Sequence, residues 1–185
     1  MTRLSDRTVG FAAIGLAIFG FLALTAFSFV SGGDRVDEAV TSGSDTAANF
    51  TLTLFDGGEF FLSEHAGKPI LVNFWASWCP PCREEAKLLQ RTWGIYEDKG
   101  VVYVGVDTQD TEPAARAFLT DFGVTYPNGI DSDNAISRSY QAFDLPTTVF
   151  IDRKGTIVKR WIGAIPEQQL VGWLDEIIDR GTEQR

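Results

Sequence analysis

Asn73-Phe74-Trp75-Ala76-Ser77-Trp78-Cys79-Pro80-Pro81-Cys82 is the stretch from which the rest of the chain can be read. It follows Ile70 to Ala76, an apolar run broken only by Asn73, as expected of a central strand covered on both faces. It leads into a helical pattern from Pro80 to Tyr96. Both cysteines of the chain therefore fall in one strand-to-helix turn, three residues apart. The first thiol sits at the positive end of a helix, where unpaired N–H groups and the helix dipole favour a thiolate. The second lies one turn further in, close enough to close a disulfide. Cys79 is the expected nucleophile and Cys82 the resolving thiol of a redox pair. Half of a zinc site is the competing reading of Cys-x-x-Cys, but the chain has no second ligand pair.

Composition narrows the chemistry further. The chain has 185 residues, the size of one domain with a small addition. Fourteen Phe and five Trp supply a core, so it is not a disordered chain. A net charge of −9 gives no positive field for nucleic acid. Two cysteines exclude a disulfide scaffold, and the single histidine, His65, excludes a multi-histidine metal centre and argues against a Cys–His hydrolase. No metal is expected. No nicotinamide or flavin motif is present, so no cofactor is expected either. His65 reads as a surface loop residue without a role.

Outward from the cysteines, the chain alternates strands and helices. Phe50 to Leu54 alternates with period two, Asp56-Gly57-Gly58 turns, and Phe60 to Leu62 completes an N-terminal hairpin. Val101–Val106 reads as a buried strand. Glu112–Phe122 reads as a helix with Pro113 in its first turn, and Asn134–Ala142 as a short helix. Thr147–Ile151 and Thr156–Ile162 read as strands around the turn Asp152-Arg153-Lys154-Gly155, and Pro166–Asp179 as a closing amphipathic helix. The pattern predicts an α/β domain over residues 50–181 with a central mixed sheet.

The N-terminal side is different. Residues 9–30 are Phe, Ala, Ile, Leu, Val and Gly with one Thr and one Ser, long enough to cross a bilayer core as one transmembrane helix, read as an uncleaved signal anchor. Residues 1–8 form its short flank, and the polar residues 31–49 read as a flexible tether. Arg3 and Arg7 precede the span and only Arg35 closely follows it, which predicts a cytoplasmic N-terminus and an extracytoplasmic, periplasm-like location for the domain. That compartment permits disulfides.

Three further positions carry chemistry. Cys82, Glu85, Ala86, Leu89 and Trp93 fall on one helical face, the apolar one. Glu85 is then either a buried carboxylate with a raised pKa, able to exchange protons with Cys82, or an edge residue that reaches water. Pro80 and Pro81 supply no N–H, so a Cys79 thiolate has fewer donors and the pair should be reducing. Trp78 is expected to flank the disulfide as an apolar contact for substrate, while Trp75 packs. Asn73 cannot titrate, so any proton relay has to run through Glu85.

The stretch Asn73–Cys82 resembles the active-site region of the thioredoxin superfamily. From about Phe50 to Asp179 the chain is similar to the membrane-anchored TlpA/ResA/CcmG (DsbE)-type thiol–disulfide oxidoreductases. Leu145-Pro146-Thr147-Thr148-Val149-Phe150-Ile151-Asp152 matches their cis-proline strand, and the strand–helix material before it their central insertion. The resemblance implies a cis Pro146 facing the cysteines and a substrate surface of Trp78, Pro80, Pro81, Leu145, Pro146 and Thr147. It also implies proton transfer by Glu85, since a glutamate three residues after the second cysteine is what ResA-like and CcmG-like proteins carry. It further implies a reductant acting outside the cytoplasm, often on the haem-binding cysteines of apocytochrome c. Its electrons would come from a membrane thiol–disulfide carrier of the CcdA/DsbD kind. Alternatives are a reductase for the copper-site cysteines of a respiratory oxidase and a general disulfide oxidoreductase. From other classes come a peroxiredoxin, which would want a Thr-x-x-Cys site, and a non-catalytic docking module.

Overall fold

The computed structural model describes residues 46–180. The apolar span at 9–30, its flank and most of the tether lie outside them, and among the described residues no helix is long and apolar enough to cross a membrane. The elements are β1 (Thr51–Thr53), β2 (Glu59–Phe61), a 3-10 turn (Leu62–His65), β3 (Ile70–Trp75), α1 (Pro80–Tyr96), β4 (Val102–Thr108), α2 (Glu112–Phe122), β5 (Asn128–Asp131), α3 (Ala135–Ser139), β6 (Thr147–Ile151), β7 (Ile157–Ile162) and α4 (Glu167–Asp179).

β3 is buried at every position, as its unbroken apolar run requires. It is the middle of a five-stranded sheet in the order β5-β4-β3-β6-β7. β4 and β5 run parallel to their neighbours, while β6 pairs antiparallel with β3 and β7. The sheet is mixed, and the fold is thioredoxin-like. β1 and β2 form the expected hairpin, a separate two-stranded sheet. It is held to β5 by Phe55 N–H donating to Asn128 O at 2.9 Å. One core, around Phe74, Val104 and Tyr140, lies under the hairpin and α3; another, around Leu89, Tyr103 and Leu174, lies under α1 and α4.

The structure differs from the sequence-based expectation in five places. β5 was not foreseen: Asn128-Gly129-Ile130-Asp131 has one β-branched residue and no alternation, and only pairing with β4 makes it a strand. Leu62 opens the 3-10 turn instead of extending β2, and His65 is half-buried, stacked on Phe60 at 4.6 Å. α3 is limited to five residues: Asn134 turns left-handed before it, where Asp131 accepts from Ile136 and Ser137 N–H, and Gln141, at φ 52°, turns left-handed just after it. Residues 46–49, read as the end of the tether, are held by the domain: Ala47 N–H donates to Gly155 O at 2.8 Å and Tyr140 Oη to Ala48 O at 2.7 Å.

Gly105 of β4 is needed for a close approach. A Cβ there would overlap Asn128 Oδ1 and lie 2.9 Å from Trp75 Nε1, and these two atoms are hydrogen-bonded at 3.0 Å. Gly105→Ala is expected to destabilise the chain by roughly 1–3 kcal/mol, read from denaturant unfolding. An unchanged midpoint would show that the Trp75–Asn128 contact is not fixed.

Candidate active site

Cys79 is the N-cap of α1, with extended backbone (φ −83°, ψ 112°), and Pro80 and Pro81 open the helix. Proline suits these positions, where an N–H would have no helical partner. The consequence for sulfur is specific: the helix N–H that reaches Cys79 Sγ is that of Cys82, at 3.3 Å. Cys79 and Cys82 are joined in a disulfide with Cα atoms 5.3 Å apart. Both are buried at 2 % exposure in a small cluster with Phe55, Trp75, Ala86 and Phe118.

Glu85 lies one turn beyond Cys82 on the same buried face, at 2 % exposure, so it does not reach water at a stripe's edge. The buried stripe continues through Leu89 and Thr92, with Trp93 only half-buried beside it. Both Glu85 oxygens are engaged: Oε1 accepts from Asn73 Nδ2 at 2.9 Å and Oε2 from Ile165 N–H at 2.9 Å. Asn73 Nδ2 also donates to Thr148 Oγ1 at 3.1 Å, across the β3–β6 register. Burial pushes the carboxyl up to about 7, and the two donated hydrogen bonds only partly oppose it. A group poised there can hold or release a proton at neutral pH.

The Leu145–Pro146 peptide bond is cis. Pro146 O accepts from Gly163 N–H at 2.8 Å, and Leu145 packs against the cysteine cluster. Pro80 is exposed, and Pro81 and Leu145 are half-buried. Thr147 is buried and its hydroxyl donates to Asp144 O at 2.6 Å, so it turns its side chain inward. Trp78 stands 58 % exposed, its indole N–H donating to Gln109 O at 2.9 Å. Trp75 is buried and stacks on Phe118 at 4.5 Å.

Four residues of this region escaped the sequence reading. Ile165 and Thr148 reach the Glu85–Asn73 network only through tertiary folding. Phe143 and Ile162, 67 % and 59 % exposed, flank the cis-proline strand, Ile162 by pairing with Thr147. Two large apolar side chains left in water at the cis-proline strand are the signal, but exposure is not visible in a sequence. Among the described residues no group of three or more His, Cys, Asp or Glu side chains is placed to hold a metal ion.

A disulfide closed across the first turn of a helix, with a buried acid one turn behind it, is suited to thiol–disulfide exchange. This places the molecule among the thioredoxin-fold thiol–disulfide oxidoreductases. The model of the AhpC/TSA family matches residues 44–160, and the chain belongs to that family. The thiol-disulfide oxidoreductase ResA of Bacillus anthracis is 34% identical over 131 residues, 71% of this chain and 76% of the relative. ResA of Bacillus subtilis (strain 168) is 31% identical over 175 residues, 95% of this chain and 93% of the relative. Among solved structures, a secreted Mycobacterium tuberculosis disulfide oxidoreductase homologous to E. coli DsbE matches with TM-score 0.63 and 29% identity, covering 69% of this chain and 95% of that one. StoA from Bacillus subtilis matches with TM-score 0.60 and 27% identity, over 69% and 96%.

Proposed function

We propose that this oxidoreductase works as a membrane-tethered reductase outside the cytoplasm, and that its substrate is the oxidised haem-binding cysteine pair of apocytochrome c. The direction rests on one observation: Pro80 and Pro81 remove two N–H donors from the first helical turn, and among the described residues the N–H that meets Cys79 Sγ is that of Cys82. A weakly stabilised thiolate makes the dithiol a good electron donor, whereas strong oxidants of this fold stabilise the reduced form. The tether is supported by the length of residues 9–30. It is also supported by the match to ResA over 95% of the chain, which takes in most of that segment.

In the proposed cycle the Cys79 thiolate attacks one sulfur of the substrate disulfide and the other leaves as a thiolate. Cys82 gives its proton to Glu85 and attacks Cys79 Sγ, which closes the Cys79–Cys82 bond and releases the second substrate thiol. Two electrons have then passed to the substrate, and a membrane thiol carrier restores them. Trp78, Pro80, Pro81 and Leu145, with the backbone at Pro146 and Thr147, form the surface against which an extended substrate lies. Ala76, three residues before Cys79, offers no hydroxyl for a Thr-x-x-Cys peroxidatic site.

The reading is tested by mixing the reduced chain with an oxidised Cys-x-x-Cys-His peptide and, separately, with an oxidised copper-site peptide. The expected result is two free thiols per chain from the first peptide, at the faster rate. A faster reaction with the copper-site peptide would move the substrate to the respiratory oxidase.

A further inference from the structure

Behind the active-site loop lies a carboxyl group that the thiol chemistry leaves unused. Asp107, near the end of β4, stands beside Trp75 of β3 and Ile130 of β5 in the sheet register. It is 0 % exposed, and neither carboxyl oxygen meets an N–H or O–H donor among the described residues. An ionised carboxylate in such a place is strongly disfavoured, and retaining the proton is the ordinary escape.

The group facing it is the carboxylate of Asp110. Asp110 in turn accepts from Ser77 N–H, two residues before Cys79, and from Thr111 N–H at 2.7 Å. Gln109, between the two aspartates, has φ 56° and its carbonyl holds the Trp78 indole. Gln109 and Asp110 therefore hold Trp78 and Ser77 in place. Other charges on the elements packed here are engaged elsewhere. Arg83 of α1 donates to Ser77 O at 3.3 Å and lies over Phe122; Arg116 of α2 pairs with Glu112. Glu85 of α1 is bound to Asn73 and Ile165, and Asp131 of β5 caps α3. Burial and the neighbouring Asp110 charge together push Asp107 up to about 8.

We propose that Asp107 donates a retained proton to Asp110, and that this acid–carboxylate pair is a pH-dependent positioning device for the Ser77–Trp78 loop beside the nucleophile. A carboxylate has enough lone pairs to accept two N–H bonds and one O–H bond together. When the proton passes to water, a buried Asp107 charge faces the half-buried Asp110 carboxylate, Asp110 is driven outward, and Ser77 N–H loses its acceptor.

The test uses the isotopically labelled 185-residue chain in detergent micelles, kept oxidised so that no thiol titrates. The Ser77 amide and Trp78 indole signals are followed from about pH 6 to about pH 9, a range in which ordinary carboxylates are silent. Both are expected to shift together with a midpoint near about 8, equally in Glu85→Gln, and to stay still in Asp107→Asn, whose amide donates to Asp110 without titrating. Signals that do not move in the unaltered chain, or that still titrate in Asp107→Asn, overturn the proposal. Should that variant not fold, the Asp107 carboxyl carbon of the unaltered chain decides. A midpoint near about 8 supports the proposal, and an ordinary one below about 5 overturns it.

Discussion

Cys82→Ser is expected to turn the chain from a catalyst into a trap. In the reduced variant Cys79 still sits at the N-terminus of α1 and still attacks a disulfide. The resolving thiol, held in the wild type at a Cα separation of 5.3 Å, is gone. An intramolecular thiol acts at an effective concentration that no solution thiol matches. The mixed disulfide should therefore accumulate and turnover should be lost. Cys79→Ser should form no such adduct, because Cys82 lies inside the first helical turn and not at the N-cap position that Cys79 holds. Non-reducing electrophoresis with mass spectrometry reads both outcomes. A partner that binds equally well to a chain with both cysteines replaced would mark a docking module instead.

Glu85→Gln is expected to slow release from the mixed disulfide by roughly 100-fold at neutral pH, the lower range of general acid–base effects. The reason is geometric as well as electrostatic: the carboxyl is fixed by Asn73 and Ile165 one turn from Cys82 and holds a pKa of about 7. Gln keeps the size and loses the proton acceptor. The deficit should shrink at high pH, where Cys82 ionises without help, and a purely structural defect would not recover in that way. The same group affects stability. Its folded pKa lies above the ordinary carboxyl value of 4.5, so its contribution is fully present below about 4.5 and is lost as pH rises through about 7. That is worth roughly 3 kcal/mol, and Asp107 adds a loss of the same sign up to about 8. Thermal unfolding of the oxidised chain should therefore weaken from pH 5 to pH 9, less steeply in Glu85→Gln. A profile that strengthens with pH would contradict the burial of both acids.

The sequence was most legible where local pattern and chemistry coincide. Pro80–Tyr96 and Glu112–Phe122 are helices with the expected bounds, because prolines mark their starts and a left-handed Gly123 closes the second. The apolar stripe placed Glu85 next to Cys82, but only the folded chain shows that Asn73 and Ile165 hold it, and Ile165 is 80 residues away. β5 was illegible because its strand state is imposed by β4 and not by its own residues. Phe143, Ile162 and the Asp107–Asp110 pair were illegible for a similar reason: what matters is where they are exposed or buried.

The Cys79–Cys82 couple is expected to donate electrons. Its reduction potential, measured at pH 7 by equilibration of the 185-residue chain with a thiol–disulfide buffer, tests that directly. A value below about −230 mV is expected; a value near about −120 mV would make the chain a disulfide donor and overturn the direction of electron flow.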